Sequence, residues 1–203
     1  MSQFSTTRIT SVIQESIATK ERLIAECTNA IHETGTLLAT TLQKGGKILF
    51  CGNGGSAADA QHIAAELVVR FRGNVQRRAL PAIALTVDSS VLTAASNDFG
   101  YDDVFARSVA ALGQANDVLV GITTSGNSPS IIRAFEQAQS QGLICIGLLG
   151  GGGGKILPHC TASVIVPSAE TARIQESHIL VGHIWCEMIE EILFPELFLQ
   201  SNK

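Results

Sequence analysis

Short apolar segments recur along this chain at regular intervals, each bounded by turn residues and without strict alternation of polar and apolar positions. Runs of this kind are typical of strands that are buried on both faces of a sheet. They occupy residues 47–51, 82–86, 118–123, 143–148 and 163–166. Stretches with helical spacing occupy residues 57–70, 102–112, 129–141 and 172–193. This alternation predicts an α/β fold in which a mainly parallel sheet is covered by helices on both sides.

The region before the first predicted strand is different. Residues 3–43 have the pattern of two helices that break near residues 27–29. We interpret them as a helical arm rather than a separate domain, because the 203 residues contain no internal repeat or linker. The predicted organisation is a single domain over residues 1–203.

Composition excludes several classes of protein. Apolar residues make up 45% of the chain and charged residues 16%, which excludes intrinsic disorder and suggests that apolar surface is buried between subunits. The net charge of −4 provides no overall field that attracts nucleic acid, which argues against a nucleic-acid partner. No apolar run approaches the roughly 20 residues needed to span a bilayer, so no membrane partner is expected.

The cysteines indicate a cellular compartment. Five of them are present, an odd number without any C-x-x-C pair, which argues against a disulfide framework or a zinc–thiolate site. The first eight residues lack the apolar core of a signal peptide. Both features favour the reducing cytoplasm.

In open parallel sheets, ligands bind beyond the carboxyl ends of the strands, so the loops that follow the strands are expected to carry the function. The first glycine loop, residues 51–56, and the hydroxyl loop, residues 123–128, both lead into predicted helices. Close backbone approach, hydroxyl donors and free N–H groups at a helix start suit an anion such as phosphate. A third segment, the glycine run at residues 150–154, precedes Lys155.

Each loop also has other interpretations. Gly52, Gly54 and Ala57 nearly match a dinucleotide fingerprint, but arginines stand where an acidic residue should bind the ribose. The glycine run resembles the end of a P-loop, yet Ile156 replaces the required hydroxyl residue. Tight strand-to-helix turns are the plainer interpretation, and we prefer it for the glycine run.

Two predicted helices carry the reactive side chains. His62 and Glu66 lie four residues apart on one helix face, and Arg70 extends that ridge by another turn. Gln175 and His183 lie on a similar ridge of an almost entirely apolar helix, where polar groups need partners. The alternatives are a solvated ion pair for the first ridge and, for His183, a core histidine bonded to a backbone carbonyl.

Several longer sequence motifs occur along the chain. They are Cys51-Gly-Asn-Gly-Gly-Ser, His62-x-x-x-Glu66, Leu80-Pro-Ala-Ile-Ala-Leu, Asn97-Asp-Phe-Gly-Tyr-Asp, Gly121-Ile-Thr-Thr-Ser-Gly-Asn-Ser and Ala172-Arg-Ile-Gln-Glu-x-His. In this collinear order, over nearly the whole chain, they resemble the phosphoheptose isomerases, which belong to the sugar isomerase (SIS) domain group. The resemblance implies a flavodoxin-like αβα sandwich with five parallel strands, assembled as a homotetramer with binding sites between subunits.

The same resemblance implies an activity, the isomerisation of sedoheptulose 7-phosphate to D-glycero-D-manno-heptose 7-phosphate, the entry step to heptose units of surface glycans. It places the catalytic residues at Glu66 and His183 and the ligands of one zinc ion per subunit at His62, Glu66, Gln175 and His183. Substrate contacts are implied at Asn53, Gly54, Gly55, Ser56, Glu66, Arg70, Asn97, Asp98, Thr123, Thr124, Ser125, Ser128 and Gln175. Glycines 150–154 replace a more polar stretch of the family, and Ala172 stands where some members have an acidic residue.

The chemistry of these residues agrees with the resemblance. Moving a proton between adjacent carbons through an enediol needs a carboxylate-like base and a group that exchanges protons with the oxygens. Zinc suits nitrogen and oxygen ligands and polarises a carbonyl, although other divalent ions fit the same set. A glutamate that binds metal is not free to act as base, so the metal is either catalytic or only stabilising.

Two alternative functions remain at this point. A bacterial relative of the family binds the replication initiator DnaA and shares the Leu-Phe-Pro string at residues 193–195, but it lacks the catalytic pair that Glu66 and His183 supply here. A regulatory module that senses sugar phosphates would carry a DNA-binding domain, for which the 46 residues before the first predicted strand are too short.

Overall fold

The sheet has the predicted architecture. A computed structural model describes residues 5–198. It contains a five-stranded sheet with the order β2-β1-β3-β4-β5, and all of its neighbouring strands are parallel. The strands are β1 (Ile48–Gly52), β2 (Ala82–Ala84), β3 (Val118–Thr123), β4 (Ile144–Leu149) and β5 (Ala162–Ile165). The predicted α/β class with a parallel sheet is confirmed, and the order is that of a flavodoxin-like fold.

Helices flank the sheet. They are α1 (Thr6–Gln43), α2 (Gly55–Val68), α3 (Ser89–Phe99), α4 (Val104–Leu112), α5 (Pro129–Ser140) and α6 (Thr171–Leu193). Short 3-10 segments lie at Tyr101–Asp103, Gly151–His159 and Pro195–Leu197. No helix in residues 5–198 is long and apolar enough to cross a membrane.

The central strands bury side chains on both faces, which accounts for their unbroken apolar pattern. In β1, Ile48 and Phe50 pack into a core shared with α1, α2 and α6. Leu49 and Cys51 point the other way, into a core shared with α3, α4 and α5. Successive residues of a strand face opposite sides, so two helical layers cover one sheet.

The predicted break at residues 27–29 is wrong, because α1 runs without interruption from Thr6 to Gln43. Leu23, Cys27 and Ile31 are all buried and continue one apolar stripe through this point. The Thr28 hydroxyl donates to the Ile24 carbonyl at 2.6 Å, a bond within the helix, so this polar residue does not end it.

Helix α3 was not predicted. Of its residues only Ala95 is buried, so it has almost no apolar periodicity to reveal it. Its start is set by Asp88, whose carboxylate accepts a hydrogen bond from the Val91 N–H at 3.0 Å.

Helix α6 packs closely along α1. The Trp185 side chain is fully buried, and its indole N–H donates to the Thr34 hydroxyl at 3.0 Å. At Gly35 an added Cβ would lie 2.7 Å from the Met188 sulfur, so this crossing requires glycine on α1. The contact holds α6 against the sheet, where its N-terminal turns reach the loops that follow β1 and β3.

Candidate active site

The strand order reverses between β1 and β3, and this switch point opens a crevice at the carboxyl edge of the sheet. A cavity of about 170 Å³ lies there. It is lined by Asn53, Ser56, Ile122, Thr123, Thr124, Ser125, Ser128 and Gln175. The structure thus brings together residues of both predicted anion loops with a residue of α6.

The first glycine loop is shaped by backbone requirements. Gly54 has a positive φ of 56°, and α2 begins at the next residue. A Cβ on Gly55 would lie 2.6 Å from the Gln175 amide nitrogen, so a side chain at this position would displace the end of the Gln175 side chain. The sequence analysis identified both glycines without anticipating this contact.

Asn53 is held by residues that the sequence analysis missed. Its amide nitrogen donates to the Ser130 hydroxyl at 3.0 Å, and its amide oxygen accepts from the Tyr101 hydroxyl at 2.7 Å. Ser130 lies in the first turn of α5, and Tyr101 starts a 3-10 segment. Neither position carries a local signal, because its role depends on distant parts of the chain.

The hydroxyl loop presents several donors around the start of α5. The Thr123 and Ser128 hydroxyls lie 3.2 Å apart, and the Ser125 hydroxyl accepts from the Asn127 N–H at 3.2 Å. Pro129 takes the first helical position, where a missing N–H costs nothing. Pro129 has no N–H, and the Ile131 and Ile132 N–H groups donate to the Ser128 carbonyl at 3.1 Å, so the Ser130 N–H and the loop hydroxyls are the donors left to bind an anion here.

The glycine run packs directly against the hydroxyl loop. A Cβ on Gly126 would lie 1.9 Å from the Gly153 carbonyl oxygen, and one on Gly154 would lie 2.5 Å from the Ser125 carbonyl oxygen. The Ile156 N–H donates to the Gly126 carbonyl at 2.9 Å. Side chains at these glycines would therefore collide with the loop, so the run does more than turn the chain.

The two polar ridges meet where α2 and α6 pack together. The Nε2 atoms of His62 on α2 and His183 on α6 lie 3.0 Å apart, a hydrogen bond in which one ring donates. The same His62 nitrogen lies 3.3 Å from a Glu66 carboxylate oxygen. The Glu66 side chain is 24% exposed, so it is partly shielded from water but still open to a ligand.

The core histidine of α6 is His178 rather than His183. His178 is fully buried, and its Nε2 donates to the Leu149 carbonyl at 3.1 Å. Burial lowers the pKa of its imidazole to about 4, against the smaller opposing effect of that hydrogen bond. His178 is therefore neutral at physiological pH, whereas His183 is only partly buried and faces His62.

Arg70 does not extend the ridge of His62 and Glu66, as the spacing predicted. Helix α2 ends at Val68, so Arg70 lies beyond it on the exposed segment that follows. The arginine that contacts this ridge is Arg77, which donates from Nη2 to the Glu66 backbone carbonyl at 2.7 Å. The partner of Glu66 on this ridge is His62, so the ion pair that the spacing offered as an alternative does not involve Arg70.

Asn97 and Asp98 lie apart from the cavity described above. The Asn97 amide donates to the Asp98 carboxylate at 2.8 Å near the end of α3, where both residues are exposed. Neither lines the 170 Å³ cavity, so their contact with a substrate stays a prediction.

The predicted zinc ligands match a metal in residue type. Imidazole nitrogens from His62 and His183 and a carboxylate oxygen from Glu66 are ligands that zinc accepts. Gln175 lies eight residues before His183 on α6, about 12 Å away along the axis, with its amide beside Gly55. Within residues 5–198, no group of three His, Cys, Asp or Glu side chains is arranged to hold a metal ion.

Comparisons with known proteins agree with this geometry. Residues 13–150 match the family model of the SIS domain. The phosphoheptose isomerase of Leptospira biflexa is 49% identical over 188 residues, which cover 93% of this chain and 96% of that protein. The structure of phosphoheptose isomerase from Neisseria gonorrhoeae is 44% identical with a TM-score of 0.85, covering 91% of this chain and 98% of that chain.

A second solved structure, a phosphoheptose isomerase from Francisella tularensis, has a TM-score of 0.88 at 38% identity and covers 94% of this chain and 100% of that chain. A relative from Chlorobium phaeovibrioides with the same name is 53% identical over 175 residues, 86% of this chain and 82% of that protein. The four matches cover between 86% and 94% of this chain. The chain belongs to the phosphoheptose isomerase family of SIS-domain proteins.

Proposed function

We propose that this protein is an aldose–ketose isomerase that converts D-sedoheptulose 7-phosphate to D-glycero-D-manno-heptose 7-phosphate, the first step towards ADP- or GDP-heptose for surface glycans. The observation that carries this proposal is the approach of His62 and His183 to 3.0 Å beside Glu66, on the two helices whose N-terminal turns line the anion cavity. A proton-transfer group next to a phosphate site is what a sugar-phosphate isomerase requires.

The phosphate is expected in the 170 Å³ cavity. The Ser125 and Ser128 hydroxyls and the N–H groups at the starts of α2 and α5 can donate to its oxygens. Two helix N-termini at one crevice also favour negative charge there. No lysine lines the cavity, so binding relies on these dipoles and hydroxyls.

The length of the substrate fits the layout of α6. Gln175 lines the cavity, and His183 lies about 12 Å further along the helix axis. A seven-carbon sugar phosphorylated at one end places its reacting carbons far from its phosphate. A shorter sugar phosphate anchored in the cavity would reach less far towards Glu66 and His183.

The proton transfer follows from these positions. The Glu66 carboxylate removes the proton from C1 of the open-chain ketose, which leaves an enediol, and returns that proton to C2. His183 moves a proton between the two oxygens, from the hydroxyl on C1 to the former carbonyl oxygen on C2. The ketone thereby becomes a hydroxyl and C1 becomes an aldehyde, with no change in overall composition. His62 orients His183 through their shared hydrogen bond.

We also propose that His62, Glu66, Gln175 and His183 hold zinc, in which case Glu66 would act as base only while it is not bound to the ion. The support is the donor set, since two imidazole nitrogens and a carboxylate oxygen already lie near one another. When bound, the ion would polarise the carbonyl and stabilise negative charge on the enediol oxygens. Zinc content of the purified wild type and His62→Gln, measured by elemental analysis, tests this independently of turnover.

We further propose that the protein forms a homotetramer in the cytoplasm. Exposed isoleucines along α1 support assembly, because Ile9, Ile13, Ile17 and Ile24 are 48%, 56%, 52% and 71% exposed. All five cysteines are free thiols, as a reducing compartment requires. In such an assembly Asn97 and Asp98 could serve a site that is shared between subunits.

The direct test is turnover of sedoheptulose 7-phosphate by the purified full chain, followed by NMR detection of the aldose, with and without a chelator. Fructose 6-phosphate serves as the shorter control substrate. Formation of heptose 7-phosphate supports the proposal. Absence of turnover with metal added would overturn it and would favour the alternative of a protein that binds DnaA.

A further inference from the structure

A buried ion pair joins the segment after α2 to the C-terminal half of α6. The Arg77 Nε lies 2.8 Å from a Glu190 carboxylate oxygen, and both side chains are 0% exposed. The local sequence gives no sign of this pair, since the two residues are 113 positions apart. Arg77 bonds to the backbone of Glu66, and Glu190 bonds to Phe71, which packs against His183.

On one side the pair holds the end of α2. The Arg77 guanidinium donates to the Glu66 carbonyl at 2.7 Å and to the Leu67 carbonyl at 2.9 Å. Carbonyls in the last turn of a helix lack partners within the helix, so Arg77 supplies a donor to the Glu66 carbonyl and a second donor to the Leu67 carbonyl, which also accepts from the Leu80 N–H at 3.2 Å. One of these carbonyls belongs to the backbone of Glu66 itself.

On the other side the pair reaches His183. The Glu190 oxygen that accepts from Arg77 also accepts from the Phe71 N–H at 3.1 Å. The Phe71 ring packs against the His183 imidazole, with the ring centres 5.3 Å apart and the planes tilted by 38°. Glu190 thus fixes the residue that contacts one face of His183.

We propose that Arg77 and Glu190 are positioning residues for the proton transfer, because they fix the end of α2 against α6 so that Glu66 and His183 face the same substrate. This inference rests on the proposed function. A buried ion pair adds little net stability over well-packed apolar residues, since both charges lose their hydration. What apolar residues cannot supply is the fixed set of hydrogen bonds to the Glu66 carbonyl and the Phe71 N–H.

The expected effect is confined to the chemical step. The hydroxyl loop is held by Gly153, Gly154 and the Ile156 N–H, none of which touches Arg77. Misplacing the α2 end should therefore lower kcat and leave KM for the sugar phosphate nearly unchanged. Displacements of about 1 Å cost roughly 100-fold in rate in other enzymes.

Three variants test the inference. Arg77→Lys keeps the charge but loses the planar set of donors, and Glu190→Gln keeps an acceptor for Phe71 but loses the charge. The double variant Arg77→Met/Glu190→Leu replaces the pair by apolar side chains of similar size, so that a folded protein is available even if a single variant unfolds. Thermal melting and sedimentation establish which variants are folded.

A matched control is the other well-shielded pair, Lys47 with Asp117, whose Nζ and Oδ2 atoms lie 2.5 Å apart just before β1 and β3, away from the contact of α2 with α6. Asp117→Asn should lower the melting temperature without changing kcat. Folded variants of Arg77 and Glu190 should show kcat lowered by about 10- to 100-fold, with KM within about 3-fold of wild type.

Three outcomes count against the inference. If the folded double variant keeps kcat within about 2-fold of wild type, the pair is only structural. If Asp117→Asn loses as much kcat as the Arg77 and Glu190 variants, the effect is general destabilisation. If the wild type has no isomerase turnover, the proposed function fails and the inference fails with it, whereas the first two outcomes leave the proposed function standing.

Discussion

His62 and His183 share a hydrogen bond of 3.0 Å between their Nε2 atoms, although 121 residues separate them in the chain. The bond links α2, which follows the first glycine loop, to α6, which also carries Gln175. Each of the two helices therefore contributes to the anion cavity through its N-terminal end and to the proton-transfer residues further along.

Replacement of the proposed acid–base residues should abolish most of the turnover. We expect Glu66→Gln and His183→Gln each to lower kcat by about 10²- to 10⁴-fold, the usual contribution of a positioned acid or base. Both changes are nearly isosteric, so the melting temperature should stay close to that of wild type. Glu187→Gln, at an exposed glutamate on α6, is the control and should retain kcat. Near-wild-type turnover in either variant would remove that residue from the mechanism.

The hydroxyl loop should contribute directly to phosphate affinity. Ser125→Ala or Ser128→Ala should weaken binding of the sugar phosphate by about 0.5–1.5 kcal/mol for a neutral hydrogen bond, or about 1.5–3 kcal/mol for one to charged phosphate. Isothermal titration with a non-reacting sugar phosphate measures this. Ser140→Ala, at the far end of α5, should leave affinity unchanged. Unchanged affinity in both loop variants would place the phosphate elsewhere.

The contact between the glycine run and the hydroxyl loop should tolerate no side chain. Gly126→Ala places a methyl group 1.9 Å from the Gly153 oxygen at a φ of 65°, so it should destabilise the fold by at least 1–3 kcal/mol, the usual order for such strain. It should also raise KM. Gly73→Ala is the control, because a Cβ there meets nothing within 4 Å. Equal stability of the two variants in guanidinium titrations would contradict the expectation.

Stability should fall at mildly acidic pH because of His178. Its pKa is lowered to about 4 in the folded protein, mainly by burial, against about 6.5 in the unfolded chain. Between pH 4 and pH 6.5 the unfolded state binds more protons than the folded state. The stability that comes from the neutral His178 ring is therefore complete above about pH 6.5 and is lost as the pH falls to about 4. The loss amounts to about 3 kcal/mol.

Unfolding titrations at pH 7 and pH 5 check the His178 prediction. His178→Gln retains an amide donor for the Leu149 carbonyl without a titrating ring. Its free energy of unfolding should therefore change less between the two pH values than that of wild type. Equal pH dependence in the two proteins would show that His178 is not responsible.

Assembly should depend on α1. We expect sedimentation equilibrium to give a mass about four times the 21.4 kDa of one chain, and Ile13→Glu with Ile17→Glu to reduce it. Charges at these exposed positions should not disturb the core of the chain itself. A wild-type mass near 21.4 kDa at micromolar concentration would contradict the proposed tetramer.

The sequence predicted best what depends on local pattern. The runs at β1, β3 and β4 came within a residue of their observed ends, because strands buried on both faces are apolar throughout. Helix α3 was not predicted because Ala95 is its only buried residue. The supposed break in α1 came from polar residues near Thr28, whose hydroxyl in fact bonds within the helix.

Local spacing in the sequence predicted only part of the site. Glu66 and His62 share a helix face by spacing alone, but their meeting with His183 depends on how α2 and α6 pack. Arg77 was missed because its partners are backbone carbonyls and a distant glutamate, and no local pattern records such contacts. The alternative of a core histidine bonded to a backbone carbonyl describes His178 and not His183, because both lie on one apolar helix and only the tertiary structure distinguishes them.

The unbroken helix α1 has a thermodynamic consequence. Its 38 residues extend about 57 Å, which exceeds the width of a globule built from 203 residues, about 40 Å. The Val12 carbonyl and the Ser16 hydroxyl bond to Arg173 and Glu176 of α6, so this part of α1 lies on the body of the chain, and Ile9, Ile13 and Ile17 are exposed on its outer side. If other copies of the chain cover these residues, unfolding is coupled to dissociation, and the melting temperature rises with protein concentration. The stability of this protein then depends on its concentration as well as on the contacts within one chain.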